Sequence, residues 1–323
     1  MKAIRFHSPG DASVIRVEDV DLPAPKPHEI TVKHAHVGVN FIDTYHRSGL
    51  YPLQLPSGLG MEGAGTVTAI GGAVEGIAVG DRVAHCSGPI GAYAELHNVP
   101  AARVVKLPKA VGTEAAAALL LKGLTVQYLF RQTYKLERGQ TILLHAAAGG
   151  TGLIACQWAR HLGVTVIGTV GSDDKVELAK ARGCAHVLNS RRDNIAARVR
   201  EITGGKGVPV VYDGVGKDTW LASLDCLSPR GLMVSFGNAS GPVTGVDLGV
   251  LSAKGSLYVT RPTLATYAAA TDALRSMAAE LFALVESGAI VPDISKRFPL
   301  VDAANAHRAL QSRGTTGALL LTA

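Results

Sequence analysis

Thr141-Ile-Leu-Leu-His145-Ala-Ala-Ala-Gly149-Gly150-Thr151-Gly152-Leu-Ile-Ala-Cys-Gln-Trp-Ala-Arg-His-Leu162-Gly163 decides how this chain folds. Residues 141–145 form a short apolar run of the length of a buried strand. Residues 146–152 hold only Ala, Gly and Thr, as a tight turn does, and 153–162 read as a helix closed by Gly163. A dinucleotide pyrophosphate needs backbone N–H groups aimed at it from a helix start, with nothing larger than hydrogen where the chain passes closest. Against the G-x-G-x-x-G pattern the middle and last glycines fall at Gly149 and Gly152, with Gly150 and Thr151 between them, while Ala147 replaces the first. Such a loop also opens ordinary helices; the preceding strand, the following helix and a further strand a dozen residues on favour nucleotide binding.

Outward from this turn the strand, turn, helix texture repeats. Residues 164–170 read as the next strand, and Ser172 can cap a helix over 173–182 that Gly183 ends. Strands over 187–188, 208–212 and 232–236 alternate with helices over 194–203 and 219–227, which implies a parallel sheet with right-handed crossovers. Residues 255–260 look like one more strand and 266–287 are helical. The tail, 291–321, returns to short strands and a helix and is assigned to the first part of the chain. That first part is rich in short β-type runs, 29–36, 65–70 and 82–84, with turns at Pro23-Ala24-Pro25 and Gly71-Gly72, so a compact β-rich domain is expected. At Thr113 the texture changes to an Ala/Leu helix former over 114–122, a plausible junction.

The end of the second strand selects the cofactor. NAD-binding folds place Asp or Glu there, about 20 residues past the glycines, to bind the ribose 2′-hydroxyl. Here the strand ends Thr169-Val170-Gly171-Ser172, an uncharged opening that with Lys175 can admit and neutralise a 2′-phosphate. NADPH is therefore favoured. Asp173 and Asp174 would repel phosphate if they faced it; as first-turn residues they are expected to point to solvent and favour the helix dipole.

The chain has 323 residues, 47% hydrophobic and 18% charged, which fits a folded protein of two domains rather than a disordered or fibrous one. Its longest apolar run, 115–121, is far short of the roughly 18 residues needed to span a bilayer. Lys2, Arg5 and His7 followed by Pro9-Gly10 leave no apolar signal core, so the cytoplasm is the expected compartment. The net charge of +6 suits an anionic partner, a phosphorylated dinucleotide or a nucleic acid. The densest basic cluster, Lys180, Arg182, Arg191, Arg192, Arg198 and Arg200, reads mainly as solvated helix faces. Cys86, Cys156, Cys184 and Cys226 stand far apart, against a zinc knot or a disulfide framework. His34 and His36 share a strand face, but two imidazoles without a third ligand are more often ordinary strand residues.

Several motifs together carry a family resemblance: Asn40-Phe-Ile-Asp-Thr-Tyr45-His-Arg-Ser-Gly-Leu-Tyr51-Pro52, Gly60-Met-Glu-Gly-Ala-Gly65, Gly80-Asp-Arg-Val83, Leu121-Lys-Gly-Leu-Thr125, residues 145–152, Val234-Ser-Phe-Gly-Asn238 and Arg261-Pro262. The chain resembles the zeta-crystallin-like quinone oxidoreductases of the medium-chain dehydrogenase/reductase superfamily. The resemblance implies an α/β chain: a doubly wound Rossmann domain binding NADPH, residues 123–260, and a discontinuous β-rich GroES-like catalytic domain, residues 1–122 and 261–323, with the active site in the cleft between them. Zinc alcohol dehydrogenases of similar fold hold zinc with Cys near the position of Asn40 and His near that of Met61. Neither Asn nor Met replaces those ligands, so no metal is expected, and alkoxide oxidation becomes unfavourable without a Lewis acid. A quinone carries its electron deficiency itself.

The resemblance implies reduction of a quinone by NADPH, the protein supplying position and water exclusion. It places Asn40, Phe41 and Tyr45 at the nicotinamide end, with Tyr51 near the substrate opening; Asn40, Tyr45 and Tyr51 are the catalytic candidates. Tyr45 can orient a quinone oxygen or relay a proton, or it can be a tyrosine packed at a domain edge. Cofactor contacts are expected from Lys122, Thr125, Gly149, Gly150, Thr151, Gly152, Gly171, Ser172, Lys175, Phe236, Gly237 and Asn238. Arg313 either reaches a phosphate or is a surface arginine. Ser190 stands where bacterial relatives favour a Tyr beside the 2′-phosphate, and Arg191 can compensate. The rival readings are an NADPH-dependent enone reductase, and a non-catalytic NADPH-binding protein that binds AU-rich RNA. Val246, Leu248, Val250, Leu251, Leu257 and Val259 suggest an apolar sheet edge that pairs two copies into a homodimer.

Overall fold

The computed structural model describes residues 1–323, which divide into two compact units: Met1–Leu124 with Tyr267–Ala323, and Thr125–Thr266. The first unit opens with strands β1 (Lys2–Phe6), β2 (Arg16–Asp19) and β3 (Glu29–Val39), and helix α1 (Phe41–Ser48) follows β3 at once. Strands β4 (Ser57–Gly58), β5 (Glu62–Ile70), β6 (Arg82–His85), β7 (Leu96–Pro100) and β8 (Val104–Lys106) come next. Helix α2 (Thr113–Tyr128) then leads into the second unit, extending past the expected 122. Strand β3 is the axis of the first unit: β5 and β7 pair with it antiparallel, and its residues Ile30, Val32, Val37 and Val39 are buried.

The second unit holds β9 (Thr141–Leu144), α3 (Gly150–Leu162), β10 (Thr165–Val170), α4 (Val176–Ala181), β11 (His186–Asn189), α5 (Ile195–Ile202), β12 (Val208–Asp213), α6 (Trp220–Cys226), β13 (Leu227–Ser235), α7 (Gly249–Ala253) and β14 (Tyr258–Thr260). Its six strands run parallel in the order β11-β10-β9-β12-β13-β14. Counted from β9 this is 3-2-1-4-5-6, the doubly wound order, and it puts the reversal between β9 and β12. Leu143, Ile167, Val211 and Met233 of the central strands are fully buried among the helices, as both faces of a parallel sheet require.

After α8 (Leu264–Tyr267) the chain returns to the first unit with α9 (Thr271–Glu286), β15 (Ile294–Pro299), α10 (Ala303–Gln311) and β16 (Ala318–Thr322). Strand β16 pairs antiparallel with β3, so the larger sheet runs β15-β16-β3-β5-β6-β8 with β7 also on β3, beside a small sheet β2-β1-β4. The tail thus belongs to the first unit.

Three local expectations change. The helix expected over 266–287 is broken, because Arg103 Nη1 donates to the Ala268 carbonyl (2.7 Å) and α9 starts only at Thr271. Ser172 stands before a short 3₁₀ turn, Asp173–Lys175, without a side-chain cap bond. Residues 245–260 are not a continuous β edge: Val250 and Leu251 lie on α7 and pack against the core, leaving Tyr258–Thr260 as the strand. No helix is long and apolar enough to cross a membrane.

Candidate active site

The glycine turn follows β9 directly. Ala146 takes a left-handed conformation (φ 55°), Ala147 N–H donates to the Thr169 carbonyl of β10 (2.9 Å), and Gly149 becomes the N-cap of α3. Helix α3 begins at Gly150 rather than Leu153, so Gly150, Thr151 and Gly152 form its first turn, whose N–H groups have no intrahelical partner. A Cβ on Gly152 would lie 2.2 Å from the Ala146 carbonyl oxygen, which fixes glycine there. Beneath the turn, His145 joins Thr169 Oγ1 (3.0 Å) to Ser223 Oγ (2.9 Å), and Ser223 donates to Asp213 Oδ2 (2.9 Å). Burial lowers the His145 pKa, so this histidine pins β9, β10 and α6 as a neutral ring.

At the end of β10, nothing lies within 4 Å of where a Cβ on Gly171 would sit. Lys175 is buried on the turn after it; desolvation lowers its pKa first, and the charge of nearby Arg191 lowers it further against the opposing effect of Asp174. Arg191 is exposed and enters no ion pair. Arg192 is committed elsewhere, to Asp173 (3.1 Å) and Asp193 (3.3 Å). Asp173 therefore does not simply face solvent: Asn189 Nδ2 donates to its other oxygen (2.9 Å), and its charge is balanced beside the opening. Ser190 spends its hydroxyl proton on the Val170 carbonyl (3.1 Å).

Phe236, Gly237 and Asn238 follow β13. Phe236 N–H donates to the Asp213 carbonyl (2.8 Å), and a Cβ on Gly237 would meet the Gly214 carbonyl at 2.3 Å. The buried Asp213 carboxylate shapes the neighbouring loop, accepting from the N–H of Val215 (2.7 Å) and Gly216 (3.0 Å) and from Thr219 Oγ1 (2.6 Å). Arg261, absent from the candidate contacts, clamps the β13 end through the carbonyls of Ser235 (2.9 Å) and Gly237 (3.0 Å). Its signal was the Arg-Pro pair closing the last strand. Thr125 opens the second unit on α2.

In the first unit, Asn40 is the N-cap of α1. Its backbone N–H donates to Asp43 Oδ2 (2.8 Å), and its side-chain Nδ2 to Glu62 Oε2 (2.8 Å). Glu62 is fully buried opposite Gly38 in the β3–β5 ladder, where a Cβ would sit 2.1 Å from the carboxylate. It also accepts from Leu121 N–H (2.7 Å) and Lys122 Nζ (3.2 Å). Phe41, Tyr45 and Tyr51 form an aromatic run: ring centroids lie 6.5 Å apart for Phe41 and Tyr45, and 5.3 Å, edge on, for Tyr45 and Tyr51. Arg313 stands apart from these residues in sequence and element, exposed after α10 with φ 57°.

Sequence reading missed a second buried network. Arg47 donates to His307 Nδ1 (3.1 Å) and Gln311 Oε1 (3.0 Å); His307 Nε2 meets Tyr93 Oη (3.2 Å); and Tyr93 donates to Asp43 Oδ2 (2.9 Å). Burial raises the Asp43 pKa to about 7 and lowers that of His307 to about 3. Zinc does not fit: the Asn40 amide nitrogen is spent on Glu62, and no group of three or more His, Cys, Asp or Glu is placed to hold a metal ion. His34 meets His85 (Nε2 to Nε2, 2.9 Å), whereas His36 turns to Thr113 (3.2 Å).

Residues 26–109 match the family described as alcohol dehydrogenase GroES-like domain, and residues 150–281 the one described as zinc-binding dehydrogenase. A quinone oxidoreductase of Pseudomonas aeruginosa is 56% identical over 99% of both chains. The chain belongs to the quinone oxidoreductase family of the medium-chain dehydrogenases/reductases. The crystal structure of Escherichia coli quinone oxidoreductase complexed with NADPH superposes with a TM-score of 0.99 at 50% identity, covering all of both chains. A 2-haloacrylate reductase from a Burkholderia species is 43% identical over 98% of this chain and 97% of its own. Within the quinone oxidoreductase family, then, the zinc in the second description has no ligand set here to receive it.

Proposed function

We propose that the chain is an NADPH-dependent quinone oxidoreductase that works without zinc. The observation that carries this reading is the pairing of two positive side chains, Lys175 and Arg191, with an uncharged strand end at Gly171, downstream of a helix start whose floor admits only glycine. Such a site suits a dinucleotide with a 2′-phosphate. The N–H groups of Gly150, Thr151 and Gly152, with Gly149 before them, hold the pyrophosphate; Lys175 and Arg191, flanked by Ser172 and Ser190, hold the 2′-phosphate. Thr125, Phe236, Gly237, Asn238 and Arg313 complete the cofactor contacts. Asn40, Phe41, Tyr45 and Tyr51, presented by α1 and the segment after it, serve the reacting end. Bound NADPH supplies a hydride. The aromatic run excludes water, and Asn40, locked by Glu62 and Asp43, gives that end a fixed edge.

Residues 123–260 act as the cofactor domain and residues 1–122 with 261–323 as the catalytic one. The exposed edge at β14, with Tyr258 62% and Val259 39% accessible, pairs two copies into a homodimer. Four buried free thiols suit a reducing cytoplasm. The test is NADPH oxidation at 340 nm against benzoquinone, naphthoquinone, short enones and 2-haloacrylate, with NADH as control. Quinone turnover preferring NADPH is the expected result; no oxidation with any acceptor overturns the reading. The Burkholderia relative supports a second reading, reduction of an activated alkene, and preference for the enones or 2-haloacrylate would establish it.

A further inference from the structure

Lys122 is almost fully buried, and Glu62 is its one hydrogen-bonding partner in the protein, so two of its three N–H groups are unspent. Removing an ammonium from water costs several kcal/mol, and one ion pair does not recover it unless the remaining protons find partners. The pair is nonetheless held tightly in place. Glu62 is locked by Leu121 N–H and Asn40 Nδ2, and Gly38 leaves room for its carboxylate. Lys122 Nζ and Asn40 Nδ2 share the same oxygen, Glu62 Oε2, which brings the ammonium beside the amino end of α1. The other charge acting on it there is the Asp43 carboxylate. A fixed, desolvated cation with unspent donors stabilises negative charge that develops during a reaction far better than the same group in water.

Resting on the reading of the chain as a quinone reductase, we propose that Lys122 acts on the acceptor rather than on the cofactor: its ammonium stabilises the negative oxygen left by hydride addition and gives that oxygen its proton. The acceptor gains a hydride from the reduced cofactor, and an electron pair comes to rest on its oxygen. The Nζ–H bond of Lys122 breaks as the O–H bond forms, and a solvent proton restores the ammonium, so that one NADPH, one proton and one quinone give NADP⁺ and hydroquinone. The direction is chemically reasonable, since ammonium and phenol groups in water have nearly matched acidities, about 10.4 and about 10. Glu62 is the positioning residue that aims the ammonium.

The test uses full-length Lys122→Met, Lys122→Arg and Lys122→Met with Glu62→Gln, the last because it removes both buried charges and keeps the experiment interpretable if the single variant does not fold. Removing one donor to a developing oxyanion costs about 100- to 1000-fold in kcat, and that loss is expected for Lys122→Met with the NADPH dissociation constant, read by fluorescence titration, within twofold of wild type. Across substituted quinones the loss should deepen as the hydroquinone anion becomes more basic, and Lys122→Arg should recover part of it. An equal loss for every quinone would indicate a merely structural role. A raised NADPH dissociation constant with unchanged saturated turnover would return Lys122 to the cofactor. Either result overturns the proposal. A wild-type protein that binds NADPH but reduces no quinone overturns the parent reading instead.

Discussion

Replacing Lys175 and Arg191 together with alanine should abolish the preference for the phosphorylated cofactor while sparing the rest of the dinucleotide site. Lys175 is buried, so its charge-assisted contact with a phosphate belongs to the stronger class, about 1.5–3 kcal/mol. Arg191 is exposed, and solvent reduces its share to about 0.5–1 kcal/mol. The sum, about 2–4 kcal/mol, corresponds to a loss of about 30- to 900-fold in NADPH affinity. NADH lacks the 2′-phosphate and should lose about twofold or less. Fluorescence titration of both cofactors measures this without turnover. Repeating the wild-type titration at high salt should shrink the NADPH preference, because the exposed Arg191 is screened. Arg192→Ala is the control, since Arg192 is engaged by Asp173 and Asp193. Equal losses for NADPH and NADH, or an effect of Arg192→Ala matching that of the double variant, would refute the assignment of the 2′-phosphate to Lys175 and Arg191.

Gly152→Ala sets a methyl group 2.2 Å from the Ala146 carbonyl oxygen, and if the 1–3 kcal/mol of overpacking is taken from binding, both cofactors should weaken together by about 5- to 150-fold; a loss confined to one of them would place the glycine elsewhere in the site. Tyr93→Phe removes the donor to Asp43 and the partner of His307, so urea melts should show a loss of about 2–4 kcal/mol, and a loss near zero would mean the network contributes nothing to folding. His34 and His307, lowered by burial to about 4 and about 3, stay neutral when folded while the unfolded chain protonates below about 6.5, so their contribution is complete above pH 6.5 and is lost at about 1.4 kcal/mol per group per pH unit on going down to pH 4. Asp43, raised to about 7, has the opposite sign and offsets about 4 kcal/mol, so these three groups together give a net loss of about 3 kcal/mol between pH 7 and 4, to which His85, His97 and His145, also lowered by burial, add in the same direction; a flat profile in urea melts over that range would contradict the burial of these imidazoles.

What could be read in the sequence was what local geometry imposes. The turn after β9 needs small residues wherever it is built, so Gly149 and Gly152 announced it, and repeated βα units called for a parallel sheet, whose strand order only the structure supplies. Phe41, Tyr45 and Tyr51 were proposed from the family resemblance, and one helix and the segment after it carry all three. The apolar residues over 245–260 misled because Val250 and Leu251 are β-branched or aliphatic and fit a strand as well as a short helix; the spacing that decides between them is too brief to read. Lys122 pointed to the cofactor only through its neighbours in a motif. Its partner Glu62 lies 60 positions away and is reached through the pairing of Gly38 with Glu62 across β3 and β5, a register no local pattern specifies. Arg47 and His307 are 260 positions apart, and nothing near either announces the other.

That second network can be oriented from donor and acceptor chemistry alone. An arginine only donates, so the His307 Nδ1 facing Arg47 must be the bare nitrogen, and the ring proton sits on Nε2. Nε2–H then donates to Tyr93 Oη, and the Tyr93 hydroxyl proton is left for Asp43 Oδ2, which also accepts the Asn40 N–H. Every step runs from Arg47 toward Asp43, and it cannot be reversed without a deprotonated guanidinium. The chain is therefore a fixed brace between α10 and the start of α1 and not a route for protons. Asp43 Oδ1 is left buried without a partner, which agrees with the upward pull of burial on its pKa. The same helix start is gripped on its other side by Glu62, whose charge is met by Lys122. Of the two cations near α1, Arg47 uses three of its five donors, one from each nitrogen, on a carbonyl, an imidazole and an amide, while Lys122 uses one of three. Three protein partners, one for each nitrogen, fix the Arg47 guanidinium in the brace, whereas a single carboxylate holds Lys122, and that difference, set by partner count rather than by charge, separates the group that braces the helix from the one that can meet a substrate oxygen.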